Sequence, residues 1–531
     1  MTRKLHSFFA SFVATAIFSF TGCTTHTSAP PPANVAGTPA PGNSSLPVAR
    51  GGLRLPGIFS DNMVLQQGMT VPIWGWGEED DTITVAFRNQ KVSAKVKDGK
   101  WMVKLKDLKP GGPDVLTISG KTTIQFSNVL VGDVWVASGQ SNMEFAMRGS
   151  FQAENDIASS ANPMIRLITI PKLKANDPTN NVNARWVQCG PETVPFFSAV
   201  AYYFGRDLQK ARGVPIGLIH TSWGGSPAEV WMSQPVLESN PRYKKEILET
   251  SSMQAEKFKD AVAQFEKEQA DAKRDGATFT KRRPTAPWKA TELYNGMIAP
   301  LIPFAIKGAI WYQGESNAGR AEQYRSLFAD MIKNWRRDWN SGDFTFLEVQ
   351  LAPFMKIKDQ PGDSTWAELR EAQLLATKNL PKVGMAVITD VGEENDIHPK
   401  KKQPVGSRLA LAARGIAYGE KIEFSGPIYK SMKVKGDKAI LTFDHVGKGL
   451  EARDGALKGF AICGEDKKFV WALAEIQDDN TIAVSSPNVE KPVAVRFGWS
   501  DYPVVNLWNK DGLPATPFRT DDFPMITAAK K

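Results

Sequence analysis

The sequence predicts an α/β protein, in which a doubly wound parallel sheet is flanked by an N-terminal and a C-terminal β domain. Residues 128–425 alternate apolar runs with helical stripes, which is typical of a parallel sheet covered by helices on both sides. Residues 53–127 and 426–531 contain short runs separated by Gly, Asp and Pro, which favours antiparallel strands. At about 150 residues per domain, the 531-residue chain has room for about three domains.

Strand candidates follow from short runs of apolar residues between turn residues. In the outer domains these candidates are residues 71–76, 82–87, 100–105, 439–443 and 493–497. The candidates for the parallel sheet are residues 129–137, 165–170, 216–220, 309–312, 344–351 and 384–389. In a sheet of this kind, ligands bind at the carboxyl ends of the strands, so we expect the functional residues there.

Helical periodicity is clearest between residues 324 and 335, where apolar side chains recur every three or four positions and form one face. An insertion at about residues 235–290 interrupts the middle domain. It contains a highly charged helix, residues 256–274, with only a thin apolar stripe. We expect this helix to pack on the surface as a cover or lid.

Residues 1–22 are typical of a signal peptide, because their apolar core, residues 8–20, is too short to span a bilayer. The core ends at Cys23 after a small residue and resembles a bacterial lipobox, so Cys23 is the predicted lipidation site. The protein is then an exported lipoprotein, periplasmic or at the cell surface; ordinary cleavage and secretion is the alternative. Residues 23–52 are rich in Pro and Ser and should form an extended linker.

The charge and the motif content of the sequence indicate which ligands the protein can bind. The net charge of +9 is modest for this length, and the densest basic clusters, residues 281–283 and 400–402, lack interleaved aromatic residues. They are interpreted as solvated loops, and we expect no nucleic acid. CxxC, HExxH and EF-hand patterns do not occur, so we expect no metal and no other cofactor. The spacing of Cys189 and Cys463 leaves their pairing open, and no sequence pattern indicates the oligomeric state.

Ser141 is the candidate nucleophile, because it follows an apolar strand and a glycine at the ligand edge of the sheet. For an isolated motif of this kind, a capping serine at a strand-to-helix turn is the alternative. Two other strands end in similar polar clusters. Gly224 and Gly225 allow close backbone approach to a reacting carbonyl, and Asn317 has an amide that can donate a hydrogen bond.

His398 is the candidate base among five histidines, because it follows the last parallel strand and precedes a helical stretch. The other four lie in the signal peptide, the linker, an apolar strand and the last β domain: His6, His26, His220 and His445. A serine needs an imidazole to accept its proton, and the imidazole needs a carboxylate to fix its tautomer. Asp396 is the nearest acid in sequence.

Six motifs in this order resemble the SGNH hydrolase superfamily, specifically the sialate O-acetylesterase group of carbohydrate acetylesterases. They are DNMVLQQ at 61–67, GQSNM at 139–143, SWGG at 222–225, WYQGESN at 311–317, DIHP at 396–399 and NKDGLP at 509–514. The resemblance covers nearly all of the chain after the signal peptide. It implies an SGNH-type sheet and hydrolysis of an acyl ester without a cofactor.

The resemblance implies Ser141 as nucleophile, His398 as base and Asp396 as orienting acid. The implied oxyanion donors are the Ser141 N–H, a backbone N–H of Gly224 or Gly225, and the Asn317 side chain. Candidate substrate contacts are Gln140, Gln313 and Glu315. Many superfamily members carry the acid three residues before the histidine, where this chain has Asn395, so Glu315 remains an alternative acid.

The predicted activity is removal of an acetyl group from a carbohydrate hydroxyl, on sialic acid or a polysaccharide, through an acyl-serine intermediate. The acetylated carbohydrate is the expected partner, and a membrane is contacted only through the lipid anchor. The alternative is a surface glycan-binding protein whose middle domain is an inactive scaffold. Retention of the serine, histidine and aspartate candidates favours the enzyme.

Overall fold

The computed structural model describes residues 52–528. The predicted signal peptide, Cys23 and the linker up to residue 51 lie outside this range. Within it, no helix is both long and apolar enough to cross a membrane.

The strands of residues 52–528 are numbered β1 to β23 in chain order. They are Val64–Gln66, Val71–Trp76, Thr82–Phe87, Gln90–Lys95, Lys100–Leu105, Gly111–Ser119, Thr123–Gly139, Asn162–Thr169, Val187–Cys189, Ile216–Ser222, Gly308–Tyr312, Thr345–Val349, Val383–Ala386, Ile428–Lys435, Lys438–Asp444, Leu450–Ala452, Phe460–Cys463, Val470–Trp471, Leu473–Ile476, Ile482–Ser485, Ala494–Phe497, Leu507–Asn509 and Phe518–Arg519.

The α-helices of the same range are numbered α1 to α9. They are Ser141–Glu144, Ala153–Ala158, Ala199–Arg212, Gln234–Ser239, Pro241–Tyr243, Thr250–Arg274, Ala321–Trp339, Thr365–Asn379 and Gln403–Ile416. Short 3-10 or π-helical turns lie at Met147–Gly149, Val194–Phe196, Ala228–Trp231, Lys244–Glu249, Tyr294–Ile298, Ala299–Leu301 and Glu315–Arg320.

The central sheet confirms the predicted doubly wound architecture. Its strand order is β13-β12-β11-β7-β10-β8-β9, and every neighbouring pair is parallel except β8 with the edge strand β9. Alternate side chains of β7 face opposite layers: Trp135 packs in the cluster that contains α3 and α9, and Val136 in the cluster that contains α7 and α8. The helix predicted around residues 324–335 is the centre of α7.

Strand β7 joins the N-terminal β domain to the central sheet. Its 17 residues pair first with β6 and β1 and then, from Asp133 onward, with β10 and β11. The boundary expected between residues 127 and 128 therefore falls inside one continuous strand. The three strands predicted at 71–76, 82–87 and 100–105 are confirmed as β2, β3 and β5.

Hydrogen bonds of the Gln66 side chain stabilise this junction. Its Oε1 accepts the Val134 N–H at 2.8 Å, and its Nε2 donates to the Asp133 carboxylate at 3.1 Å. Asp133 also accepts the Tyr418 hydroxyl at 2.9 Å, and Gln66 is only 2% exposed. The DNMVLQQ motif therefore has a structural function, because it supplies hydrogen bonds that buried backbone and carboxylate groups need.

The C-terminal β domain consists of two four-stranded sheets, β14-β15-β20-β19 and β18-β17-β21-β23, with the pair β16-β22. It docks on α8, where the Arg370 guanidinium donates to the carbonyl oxygens of Ser500 and Asp501. In the NKDGLP motif, the buried Asn509 amide donates to the Ser425 and His445 carbonyl oxygens. This motif also stabilises the fold.

The insertion contains α6, which begins at Thr250, six residues before the predicted start, and ends at Arg274 as predicted. Phe265 is the buried residue of this helix, and its ring packs edge to face on Phe279 at 5.2 Å. The Lys281 and Arg283 side chains form exposed ion pairs with glutamates of α6, in agreement with a solvated basic cluster.

We predict that Gln66→Ala lowers the free energy of unfolding by about 1 to 3 kcal/mol, because it leaves the buried Val134 N–H without a partner. Urea unfolding followed by tryptophan fluorescence measures this change. Gln125→Ala, an exposed substitution on the same strand as Val134, is the control and should stay within about 0.5 kcal/mol of wild type. Equal stability of the two variants would contradict the structural function of Gln66.

Candidate active site

Three neighbouring strands end side by side at the carboxyl edge of the sheet. In register, Gly139 of β7 lies opposite Ser222 of β10 and Tyr312 of β11. The loops that follow these strands therefore leave the sheet at one place. This register brings together the polar clusters that the sequence places after separate strands.

Gly139 ends β7 with φ 136°, and a Cβ there would lie 2.2 Å from the Tyr312 carbonyl oxygen. Only glycine fits this conformation and this close approach. Ser141 then begins the short helix α1, and its N–H makes no hydrogen bond within the described range. The Ser141 N–H is thus available beside the Ser141 hydroxyl.

The structure brings Ser141, His398 and Asp396 together. The His398 Nε2 lies 2.8 Å from the Ser141 Oγ, which is hydrogen-bond distance. The Asp396 Oδ1 lies 3.6 Å from the His398 Nδ1 and accepts the His398 backbone N–H at 2.9 Å. Asp396 therefore fixes the loop and faces the second ring nitrogen.

Glu315, the alternative acid, has a different position. Its Oε1 accepts a hydrogen bond from the Asn142 amide at 2.7 Å, and no hydrogen bond or ion pair joins it to His398 within residues 52–528. Burial raises the pKa of the Glu315 carboxyl. Of the two candidate acids, Asp396 is the one beside the imidazole.

Asn142 connects Glu315 to the histidine loop, and sequence reasoning missed it. Its Nδ2 donates to Glu315 and, at 3.0 Å, to the Ile397 carbonyl oxygen. Its Oδ1 accepts from the Lys402 ammonium at 2.5 Å, which fixes the orientation of the amide. The residue preceding His398 is therefore tied to the residue following Ser141.

Lys402 corrects the interpretation of residues 400–402 as a solvated cluster. Lys400 and Lys401 are exposed, whereas Lys402 is fully buried and its ammonium lies 4.8 Å from the centre of the Phe145 ring. Burial lowers the pKa of Lys402 from 10.5 to about 7. Nothing in the sequence distinguishes Lys402 from Lys400 and Lys401, because its burial depends on tertiary packing.

The two glycine alternatives for the oxyanion donor differ in their partners. The Gly224 N–H donates to the Glu144 carboxylate at 2.7 Å, and Glu144 also pairs with Lys172 at 2.6 Å. The Gly225 N–H has no partner among the described residues. Gly225 is exposed and has φ 74°, so its N–H is the available one.

The side chains of Asn317 and Gln313 are buried and hydrogen-bonded within the protein, whereas groups that contact substrate are expected to be accessible. Asn317 is 1% exposed; its Oδ1 accepts from Ala228 and Gln313, and its Nδ2 donates to Glu229 at 3.0 Å. Gln313 is fully buried, and its side-chain amide bonds to Ser226, Asn317 and Tyr324. These interactions hold the residues that follow Gly224 and Gly225, and so fix the loop that contains both glycines.

Gln140 also faces inward: it is 3% exposed, and its Oε1 accepts the N–H groups of Gly314 and Ser316, both at 3.4 Å. His220 is 5% exposed and bonds to the Ser222 hydroxyl at 2.6 Å, which agrees with its interpretation as a core histidine. Cys189 and Cys463 are both free buried thiols. Residues 52–528 contain no group of three or more His, Cys, Asp or Glu side chains placed to hold a metal ion.

Comparison with known proteins places this chain in a family. A family model described as carbohydrate esterase, sialic acid-specific acetylesterase, matches residues 276–414. The crystal structure of a carbohydrate acetylesterase from Xanthomonas citri is 38% identical, with a TM-score of 0.77, and covers 89% of this chain and 100% of its own. The chain belongs to the sialate O-acetylesterase family of carbohydrate acetylesterases. The mouse and human sialate O-acetylesterases are each 29% identical over 517 residues, which cover 88% of this chain and 94% and 92% of theirs.

The electrostatics around His398 set the expected pH dependence of this family member. Burial and the Lys402 ammonium lower the pKa of His398, and the Asp396 carboxylate opposes them. An imidazole that accepts a proton must start neutral, and a lowered pKa keeps it neutral to lower pH.

We predict that kcat/KM for ester hydrolysis rises with pH through a midpoint below the ordinary histidine value of about 6.5. Asp396→Asn should move this midpoint further down, because it removes the charge that raises the His398 pKa, and should lower kcat by as much as about 10⁴-fold. Rate measurements between pH 4 and 8 test both. A midpoint above 6.5 in wild type would contradict the assignment, and a larger rate loss in Glu315→Gln than in Asp396→Asn would transfer the acid role to Glu315.

Proposed function

We propose that the protein removes acetyl groups from carbohydrate hydroxyls through a covalent acetyl-serine intermediate. The observation that carries the mechanism is the 2.8 Å contact between the Ser141 Oγ and the His398 Nε2 at the carboxyl edge of the sheet. Family membership supports the acetylated carbohydrate as substrate, since the similar proteins are carbohydrate acetylesterases by name.

In the first half of the reaction, the Ser141 Oγ attacks the ester carbonyl while His398 accepts its proton. The oxygen of the tetrahedral intermediate becomes negative. The N–H groups of Ser141 and Gly225, which have no partner among residues 52–528, are free to stabilise it. The intermediate collapses, the sugar oxygen leaves, and His398 returns the proton to it. Asp396 stabilises the charged imidazole during this step.

In the second half, His398 takes a proton from water, which attacks the acetyl-serine. The same two N–H groups stabilise the second tetrahedral intermediate, and acetate leaves as Ser141 regains its proton. Every step uses groups of this chain and a water molecule. The alternative of an inactive glycan-binding scaffold leaves the Ser141–His398 hydrogen bond without a function.

We predict that Ser141→Ala lowers the rate of acetate release by about 10⁴-fold or more, because no acyl-enzyme can form without the hydroxyl. Acetate release from an acetylated oligosaccharide, with circular dichroism to verify folding, measures the effect. Ser159→Ala, an exposed serine that bonds only within α2, is the matched control and should keep the wild-type rate. Retained turnover in Ser141→Ala with loss in Ser316→Ala would make Ser316 the nucleophile, and glycan binding without turnover by wild type would favour the scaffold.

We also propose that the protein is exported and anchored in a bacterial membrane through a lipid on Cys23, facing the periplasm or the cell surface. The supporting features are the apolar core at residues 8–20, the small residue before Cys23 and the Pro- and Ser-rich segment after it. A linker of that composition would hold the enzyme away from the bilayer.

For the anchor, we expect wild type to partition with membranes and Cys23→Ser to lose its lipid. Mass spectrometry of the mature N-terminus measures the modification directly. Cys463→Ser, which changes a buried thiol of the C-terminal β domain, should leave the lipid in place. An unmodified N-terminus at another residue would show ordinary secretion instead.

A further inference from the structure

A cavity of about 420 Å³ lies between the catalytic edge of the sheet and the beginning of α6. Gly225 and Ser316 form its near end, where the Ser316 hydroxyl donates to the Gly225 carbonyl oxygen at 3.0 Å. Gly224 lies close to the nucleophile, because a Cβ there would be 3.3 Å from the Ser141 Cβ. The cavity thus begins beside the proposed oxyanion donor, and its volume is ordinary for a small-molecule site.

Trp288, which the insertion contributes, gives the cavity an aromatic wall. Its ring contacts two neighbours: the Lys174 ammonium lies 4.1 Å from its centre, and Trp223 packs edge to face at 5.6 Å. Trp288 is nonetheless only partly buried. A fixed, partly open indole offers an apolar surface against which the C–H face of a sugar ring can pack.

The first turns of α6 supply polar groups to the opposite wall. Thr250, Ser251 and Gln254 all line the cavity. The Gln254 side chain is exposed and has no hydrogen-bond partner in the described part of the chain. The Thr250 hydroxyl and the Gln254 amide can donate to and accept from sugar hydroxyls. The Ser251 hydroxyl, whose oxygen accepts the Ala290 N–H at 3.3 Å, can donate.

Each charged residue of the lining already has an oppositely charged partner. Arg320 is the single cation among the lining residues, and its guanidinium is bound to the Glu229 carboxylate at 2.6 Å. Glu246 adds a second carboxylate to the lining. Glu246 is itself paired with the Arg242 guanidinium at 3.0 Å, so each lining charge already has an opposite partner. A carboxylate on the ligand would therefore meet no unpaired cation within the lining.

Two lysines near the aromatic wall, Lys172 over the Trp223 ring and Lys174 over the Trp288 ring, are also paired. Lys172 contacts the Glu144 carboxylate at 2.6 Å, and Lys174 contacts Glu292 at 2.8 Å. Breaking either pair to bind a sugar carboxylate would leave that glutamate without its cation, and Glu292 is a buried residue. The charge distribution therefore favours an uncharged sugar.

We propose that this cavity binds the sugar ring adjoining the scissile acetyl ester and selects neutral, hydroxyl-rich pyranosides over sugars that carry a carboxylate. The inference rests on the proposed esterase function and assigns the insertion the task of choosing the carbohydrate. Trp288 and Gln254 are the specificity-determining residues, and neither takes part in the acyl chemistry.

The test compares acetate release from three substrates: 4-nitrophenyl acetate, an O-acetylated xylo-oligosaccharide, and 9-O-acetylated N-acetylneuraminic acid. Wild type should show kcat/KM for the neutral oligosaccharide about tenfold or more above that for the acidic sugar. Trp288→Ala and Gln254→Ala should each lower kcat/KM for the oligosaccharide about tenfold, through KM, with a much smaller loss for 4-nitrophenyl acetate.

Gln264→Ala, the same substitution at a residue of α6 outside the cavity lining, is the matched control and should leave all three rates unchanged. Trp288→Phe should recover part of the oligosaccharide activity, because it restores an aromatic wall. Preference for the acidic sugar, or equal losses on all substrates in Trp288→Ala and Gln254→Ala, would overturn the inference while the esterase assignment stands. Absence of acetate release from all three by wild type would overturn both.

Discussion

The position of Ser141, the proposed nucleophile, depends on strand β7. Its 17 residues begin in the N-terminal β domain, continue as the strand between β10 and β11, and end at Gly139. The hydrogen bonds of the N-terminal β domain and of the central sheet therefore hold a single strand. A nucleophile needs fixed geometry within fractions of an ångström, and a long strand paired on both sides supplies it.

The histidine comes from a loop, so it needs a separate support. Asn142 provides it, because its amide joins the helix that begins at Ser141 to the residue before His398. The Lys402 ammonium and the Glu315 carboxyl, on either side of this amide, hold it in one orientation. Burying these ionisable groups costs stability, and the arrangement offsets part of that cost by hydrogen-bonding both to the same amide. Lys402 also favours the neutral form of His398, since it lowers its pKa.

Periodicity predicted the strands well, because burial on two faces constrains sequence over many residues. The rule that ligands bind at strand carboxyl ends then located the serine and the histidine. It gave no means of choosing between Gly224 and Gly225, since that choice depends on the Glu144 carboxylate, which comes from another strand end. The burial of Lys402 was hidden for the same reason: three successive lysines look alike until tertiary packing separates them. Asn317 was assigned to the site because it follows a strand end and belongs to a family motif; the hydrogen bond from its amide to Glu229 had no signature in sequence.

We propose that the sheet carries the acyl chemistry and the insertion recognises the sugar, and this separation has a physical basis. Acyl transfer requires rigid placement of a few atoms, and the strand ends provide it through backbone hydrogen bonding. Sugar recognition requires a wall of suitable shape and polarity, which a segment outside the sheet can supply without disturbing strand register. Because α6 buries little besides Phe265, changes along its length have small effects on the core. The cavity can therefore be altered at Gln254, an exposed residue of α6, while Ser141 and His398 keep their geometry.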